Sequence, residues 1–482
     1  MLQAGRHNAH DLPPPDHHDW SPPLALALHW LLTGPSRRGH HFLSFDFFMR
    51  TIRPIQAALA LAFCSAFAMA APSFLNLQED GPERVLKDGD MKTLAKRFGE
   101  WFEVLDENKD TLETKYAVGE EIKKLNKKKL KGGNILKHTA DLGFAIYSAN
   151  NYGRKDPRGA AGKVVMRKVE RGDLVVEYAI WTPPKYRGSK GPYPVIISIP
   201  EEGENPKDHI TNRWTHGGLK DSTIIVSPKM PGDSNLWTES DGRGAVFITY
   251  ADIMKTWAVD RSRIFIGGRV RGGETALEFA HSSADRFAGV FCWASDAGNG
   301  LNPENLAHVP VLICGGGAKT TAFAERAKAA GIEGITVSAD AGLEEIAAWM
   351  DKKRRKAYPD KVTIAPSGRF PTKGYWIQFA AMKDMSGVRI TGEINRETNT
   401  ITLTGKGVRD VSLFLSDGLV DLDRPVTVIA NGAESKDTFQ RSVNTFMELL
   451  RDGKIDSDRL YTATKQYHLP AIADDSDSES GD

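Results

Sequence analysis

The chain has 482 residues, 40% of them hydrophobic and 26% charged, with 63 Lys+Arg against 62 Asp+Glu. This is ordinary globular composition, long enough for two or three domains. A net charge of +1 supplies no global attraction to nucleic acid. Three cysteines exclude a disulfide-stapled scaffold and a four-cysteine zinc site.

The first 70 residues differ from the rest. Seven of the 13 histidines precede Met49, with Pro13, Pro14 and Pro15 among them. No lasting period runs through this stretch, and the histidines lack the spacing of a helical or fingered metal site. Arg50 and Arg53 then lead into an apolar run over 55–70, broken only by Gln56 and Ser65 and ending in Ala68-Met69-Ala70. A basic start, a short apolar stretch and an A-x-A end are the parts of a secretory signal peptide. The run is too short for a comfortable transmembrane helix. The expectation is a signal peptide over 49–70, translation from Met49, a leader over 1–48 foreign to the protein, and export. Without residues 1–70, which hold five basic and four acidic residues, 58 of each sign remain. Of the cysteines, Cys292 and Cys314 stay, both in apolar strand-like runs that suit buried thiols; export leaves a disulfide open.

Residues 71–158 read as a helical segment, with Leu94, Phe98, Trp101, Phe102 and Leu105 at helical spacing. The lysine run over 123–131 reads as a solvated face partly offset by Glu120 and Glu121, although a basic helix can also meet anionic surfaces. Asp106, Asn108 and Asp110 echo a calcium loop. Thr111 at the glycine position and Ala117 at the final glutamate position reject it.

Over 159–358 strands and helices alternate. A hairpin is expected over 164–181 around 171–173. Apolar runs at 194–199, 223–226, 263–266, 287–293, 309–314 and 335–338 read as strands; 246–257, 274–281, 320–330 and 343–356 read as helices. That alternation predicts an α/β fold with a doubly wound, mostly parallel sheet. Residues 359–432 read as a β-rich module, 433–470 as a helical segment around 439–450, and 471–482 as an acidic disordered tail.

The stretch VDRSRIFIGGRVRGGETALEFA, 259–280, reads as strand, glycine-rich turn, helix. That is the layout of a nucleophile elbow, in which a strained turn lifts one side chain above the sheet. Asp260, Arg263, Ile264, Phe265, Gly268, Gly272, Gly273 and the later Arg286-Phe287-Ala288 resemble the α/β-hydrolase superfamily. The similarity is to secreted esterases of the polyhydroxybutyrate-depolymerase and prolyl-oligopeptidase-like type, and covers about 164–350. The resemblance implies an α/β-hydrolase fold with a Ser-His-Asp triad.

The family positions depart together. Val270 stands where the nucleophilic serine belongs and has no atom that can attack a carbonyl. Gly315-Gly316-Gly317-Ala318-Lys319-Thr320 follows the strand that should carry the acid, and Leu343 takes the place of the histidine. The oxyanion loop reads Pro200-Glu201-Glu202-Gly203, whose carboxylates would repel a developing oxyanion. Arg269 and Arg271 flank Val270. They either form an anion site or neutralise Glu201, Glu202 or Asp296.

No other residue is placed as a triad member. Ser295 lacks an elbow, Cys292 sits within a strand, His281 ends the elbow helix and His308 precedes a strand. His209, His216 and His468 occupy polar, loop-like contexts, and Asp296 reads as a surface carboxylate. Beyond residue 359, Tyr375-Trp376-Ile377, 399–403, 413–417, 420–426 and Asn431-Gly432 resemble the C-terminal extension of planctomycete-type secreted hydrolase-like proteins. Tyr375 and Trp376 suit either carbohydrate contact or a strand core.

The expected function is binding or scaffolding by a secreted pseudo-hydrolase, toward a ligand or protein partner that the sequence does not specify. No catalytic residue, metal or cofactor is assigned, no nucleic acid is expected as partner, and no transmembrane segment is expected after residue 70. The alternative is an active esterase or peptidase that uses a constellation not recognised in the sequence.

Overall fold

The computed structural model describes residues 84–107, 109–150, 161–171, 174–232, 236–339 and 342–471. The expected leader and signal peptide and nearly all of the acidic tail lie outside these residues.

The N-terminal segment forms helices α1 (Asp88–Asp106), α2 (Leu112–Asn126) and α3 (Thr139–Ala149). In α1 Met91, Leu94, Ala95, Phe98 and Trp101 are buried, the i, i+3, i+4, i+7 stripe of an amphipathic helix. Asp141, buried in α3, accepts from the Val85 and Leu86 amides, each at 3.0 Å. A Cβ on Gly143 would stand 2.0 Å from the Ser457 carbonyl oxygen, so α3 lies directly on the C-terminal part of the chain. Asp106 pairs with Lys255, and Asp110 accepts from the Leu112 amide at the start of α2.

The central sheet uses β1 (Val164–Arg171), β2 (Leu174–Trp181), β3 (Tyr193–Ile199), β4 (Ile224–Pro228), β5 (Val259–Arg269), β6 (Gly289–Trp293), β7 (Val311–Cys314) and β8 (Ile335–Ser338). Their order is β1-β2-β4-β3-β5-β6-β7-β8. β1–β2 and β2–β4 are antiparallel and the other pairs parallel. Interleaved with the strands are α4 (Pro206–Arg213), α5 (Gly217–Ser222), α6 (Ser240–Thr256), α7 (Arg271–Ser282), α8 (Ala318–Ala329) and α9 (Leu343–Asp351). All seven residues of β3 are buried, as expected for a strand covered on both faces. Val195, Ile197 and Ile199 join the core beneath α6 and α7; Ile196 joins Ile210, Trp214, Leu219, Ile346 and Met350 on the opposite face. After β3 the chain steps to β4 on one side, then to β5 on the other. The winding reverses there, and the elbow follows β5 at that switch point. This topology is the α/β-hydrolase fold.

Cys292 and Cys314 are buried and free. Cys292 is opposite Ile313, so the two thiols, one position out of register, face opposite sides of the sheet. A disulfide between them is excluded by geometry. Burial raises both thiols, Cys314 to about 11.

The rest of the chain forms β9 (Lys361–Ile364), β10 (Lys373–Gly374), β11 (Ile377–Phe379), β12 (Arg389–Asn395), β13 (Thr400–Lys406), β14 (Asp410–Leu415), β15 (Val426–Ala430), β16 (Ala433–Asp437), helix α10 (Val443–Arg451) and β17 (Ala463–His468). They make two sheets, β16-β15-β13-β12-β9 and β10-β11-β14-β17. The expected helical segment over 433–470 is thus corrected: α10 is its only α-helix, and strands stand on both sides of it. Both are polar edge strands. β16 has four exposed residues of five, and β17 buries only Ala463 and Tyr467. Such strands lack the apolar alternation that marks a strand in sequence. Tyr375 and Trp376 are core residues, 3% and 0% exposed, which removes them as a carbohydrate platform.

A buried ionic cluster joins the β-rich part to the α/β sheet. Arg355 makes a bidentate pair with Asp456, both contacts at 2.7 Å. Asp285 receives Lys373 at 2.8 Å and Arg459 at 2.5 Å, and its backbone carbonyl accepts from Arg459 and Arg355. The Tyr358 hydroxyl accepts from the Leu460 amide at 2.7 Å. Burial alone would raise the Asp285 and Asp456 carboxyls. Arg459 and Lys373 around Asp285, and Arg355 at Asp456, outweigh it and hold both well below the usual carboxylate range. Burial pulls Lys373 down to about 8 despite Asp285. Residues 359–470 are therefore built into the same compact body as the sheet.

Loss of one partner strands a buried charge, which typically costs about 3–5 kcal/mol. Asp456→Asn should lower stability by about that amount at pH 7 in urea unfolding. Because the native carboxyl is depressed, its contribution is present above the unfolded carboxylate range near pH 4 and is lost as pH falls through and below it. The gap between wild type and variant should therefore narrow toward pH 3. A gap that widens there would contradict the assignment.

Candidate functional site

Val270 sits at the apex between β5 and α7, with φ 49° and ψ −121°. For a β-branched residue this is a true outlier, costing on the order of 1–3 kcal/mol. The surroundings hold it there. The Val270 amide donates to the Trp293 carbonyl at 2.8 Å, and its own carbonyl accepts from Ser295 Oγ at 2.6 Å and from the Gly273 and Glu274 amides. The three elbow glycines are required by close approach. A Cβ on Gly268 would stand 2.4 Å from the Gly272 carbonyl carbon, one on Gly272 2.3 Å from the Ile199 oxygen, and one on Gly273 2.2 Å from Ser295 Oγ. The turn thus has the strand–turn–helix geometry of a nucleophile elbow, with an aliphatic side chain at its tip.

The side chains at the neighbouring positions have structural partners. Arg269 pairs with Glu201 at 3.1 Å and Arg271 with Glu202 at 3.6 Å, so two guanidinium groups and two carboxylates cancel beside the apex. An anion could occupy this place only after those carboxylates left. Leu343 begins α9 and packs against the core on the Trp214 side. Asp296 accepts from the Gly317 and Thr320 amides, both at 2.9 Å, and caps α8. Those backbone bonds, Thr320 first, hold its carboxyl below the ordinary range. Ser295 is committed to the Val270 carbonyl.

Two of the described histidines are buried. His281 is 3% exposed, its Nε2 lies 2.7 Å from Asn305 Nδ2, and burial pulls its pKa down to about 4. It stands about 16 Å along α7 from the apex, at 1.5 Å per residue. His216 accepts from the Leu219 amide, His308 meets the Lys361 carbonyl, and His468 pairs with Asp410.

His209 is the other buried histidine, and it belongs to a constellation missed in the sequence. Ser198 Oγ lies 2.7 Å from His209 Nε2, and His209 Nδ1 lies 2.7 Å from Glu204 Oε2. Trp214 Nε1 donates to Ser198 Oγ at 3.0 Å, and Arg213 holds the second Glu204 oxygen at 3.1 Å. Burial would raise Glu204, but His209 and Arg213 keep it ionised; burial lowers His209 against the pull of Glu204. Nδ1 is therefore assigned the proton, donated to Glu204, and Nε2 accepts from the serine. These are the distances and polarity of a Ser-His-Glu triad. Access is lacking: Ser198 and His209 are each 1% exposed, on the sheet face covered by α4 and α5. Ser198 and His209 belong to different elements, a strand and a helix, and their pairing leaves no spacing signal.

A cleft of about 530 Å³ lies away from the elbow, lined by Glu304, His308, Lys361, Thr363, Arg389 and Thr391 among others. Among the described residues no group of three or more His, Cys, Asp or Glu could hold a metal ion.

No family model matches the sequence, and no curated protein matches it. Similar solved structures include a thermostable esterase, at 13% identity and TM-score 0.35, covering 41% of this chain. This chain spans 64% of that esterase, under two thirds of its length. A ferulic acid esterase is similar at 18% identity and TM-score 0.31 over 39% of this chain and 94% of that one. An S-formylglutathione hydrolase from Staphylococcus aureus is similar at 10% and 0.32, over 39% and 98%. Likenesses of this size transfer no activity.

The strain at Val270 can be measured without a substrate. Val270→Gly should raise stability by about 1 kcal/mol, the relieved strain net of glycine's greater unfolded-state entropy. Val270→Ala keeps the positive φ and should not. Urea unfolding separates the two; a fall in stability on Val270→Gly would show an unstrained turn.

Proposed function

We propose that this protein is a hydrolase-fold binding or scaffold protein that has lost Ser-His-Asp chemistry at the elbow, exported behind a signal peptide at 49–70. The observation that supports this is Val270 at the strained apex. The turn keeps the conformation that presents a nucleophile, yet offers two methyl groups, with Leu343 in the base position and Glu201 and Glu202 where oxyanion donors would stand.

A second reading rests on one specific observation, the Ser198–His209–Glu204 chain. On that reading the protein is an esterase whose serine lies in β3. Burial of both serine and histidine weighs against it. The base and its carboxylate also sit on the segment that covers the serine, so uncovering Ser198 would carry His209 away.

A fluorophosphonate probe with p-nitrophenyl acetate turnover distinguishes the readings. The proposal expects no labelling and no turnover above background, in wild type and in Val270→Ser alike, since the latter gains a hydroxyl but no base. Stoichiometric labelling of wild type that vanishes in Ser198→Ala would establish the second reading. N-terminal sequencing of exported protein should give Ala71; a mature chain that starts well before it would overturn the export assignment.

A further inference from the structure

The two most exposed large apolar side chains in the described residues, Leu112 at 71% and Tyr116 at 67%, lie one turn apart on α2. Nothing in the fold accounts for leaving both in water. At 3.6 residues per turn, Leu112, Tyr116, Glu120, Lys123 and Lys127 fall within about 80° of arc. The buried residues of the same helix, Val118, Glu121, Ile122 and Leu125, occupy the opposite side. The exposed stripe is thus apolar at its N-terminal end and basic at the other.

The basic end continues past the helix. Residues 123–131 hold six lysines and no acidic residue. Within the fold Lys123 pairs with Glu120, Lys124 with Glu121, and Lys128 with Asp90. Eight lysines stand against four carboxylates over 109–131, and against seven once Glu107, Glu448 and Asp90, the partners of Lys109, Lys115 and Lys128, are counted, so the local excess is small but positive. Among the described residues no helix is long and apolar enough to cross a membrane, so any membrane contact made by these helices is peripheral.

We infer that the outward face of α2 docks on an anionic phospholipid surface, with Leu112 and Tyr116 entering the headgroup boundary and the lysines over 123–131 contacting the lipid phosphates. Charge complementarity selects an anionic partner. The adjacent leucine and tyrosine select a lipid surface over a polyanion such as nucleic acid, which offers nothing apolar to receive Leu112.

The test is sedimentation of the purified full chain with vesicles of phosphatidylcholine alone or of equimolar phosphatidylcholine and phosphatidylglycerol. Binding is expected only to the anionic vesicles. It should be lost at about 1 M salt, where the Debye length falls to about 3 Å. Leu112→Ser/Tyr116→Ser should weaken it about tenfold, and Lys123→Glu/Lys127→Glu at least as much. All four side chains are exposed, and unchanged thermal unfolding would show that the variants fold. No sedimentation with anionic vesicles at low salt would overturn the inference. So would vesicle binding indifferent to Leu112→Ser/Tyr116→Ser, or retention on heparin or duplex DNA without vesicle binding, which would mark a general polyanion site.

Discussion

The pairing of Asp285 and Asp456 with Arg355, Arg459 and Lys373 is the constraint on which the rest of this structure depends. Desolvating five charged groups is costly, and each is tolerable only because the others are in place. The cluster draws on the short turn just after the elbow helix, the segment after α9, the short strand β10 and the loop before β17. A hydrophobic contact would tolerate a slip of one residue; a bidentate arginine–carboxylate pair does not. The cluster therefore sets the register in which the β-rich part meets the sheet.

At the other end of α7 the constraint is conformational. Val270 is held in a backbone state that β-branched residues rarely adopt. Ser295, Trp293 and the first turn of the helix keep it there. Such strain ordinarily accompanies function. Here Gly268, Gly272 and Gly273 hold the geometry through close packing between β3, β5 and α7, whatever stands at the apex.

Much of this was legible in the sequence, for physical reasons. Buried parallel strands are continuous apolar runs, so 194–199 falls within β3 and 223–226 overlaps β4, both wholly buried. The elbow was legible because close approach of backbones demands glycine. Polarity misled elsewhere. The run Asp456-Ser457-Asp458-Arg459 is wholly polar in sequence, yet Arg459 is buried, and its partner Asp285 lies 174 residues away. Glu434 to Asp437 hides a strand because an edge needs no apolar face. His209 sits behind Lys207 and Asp208 and looked exposed, whereas its ring points inward to a serine on another element.

The close contact between Gly143 and Ser457 bears on how the chain is made. Residue 143 emerges from the ribosome more than three hundred residues before residue 457. Until then α3 lacks the surface it lies on, and Asp285 lacks Arg459. Contacts of such long range are slow to form, because loop closure must precede any stabilisation they bring. The central sheet can assemble during synthesis, but the last thirty or so residues complete the body. A ribosome-bound chain stopped short of residue 456 would hold an unsealed core and, at Arg355, a guanidinium without its carboxylate partner, the kind of species that chaperones retain.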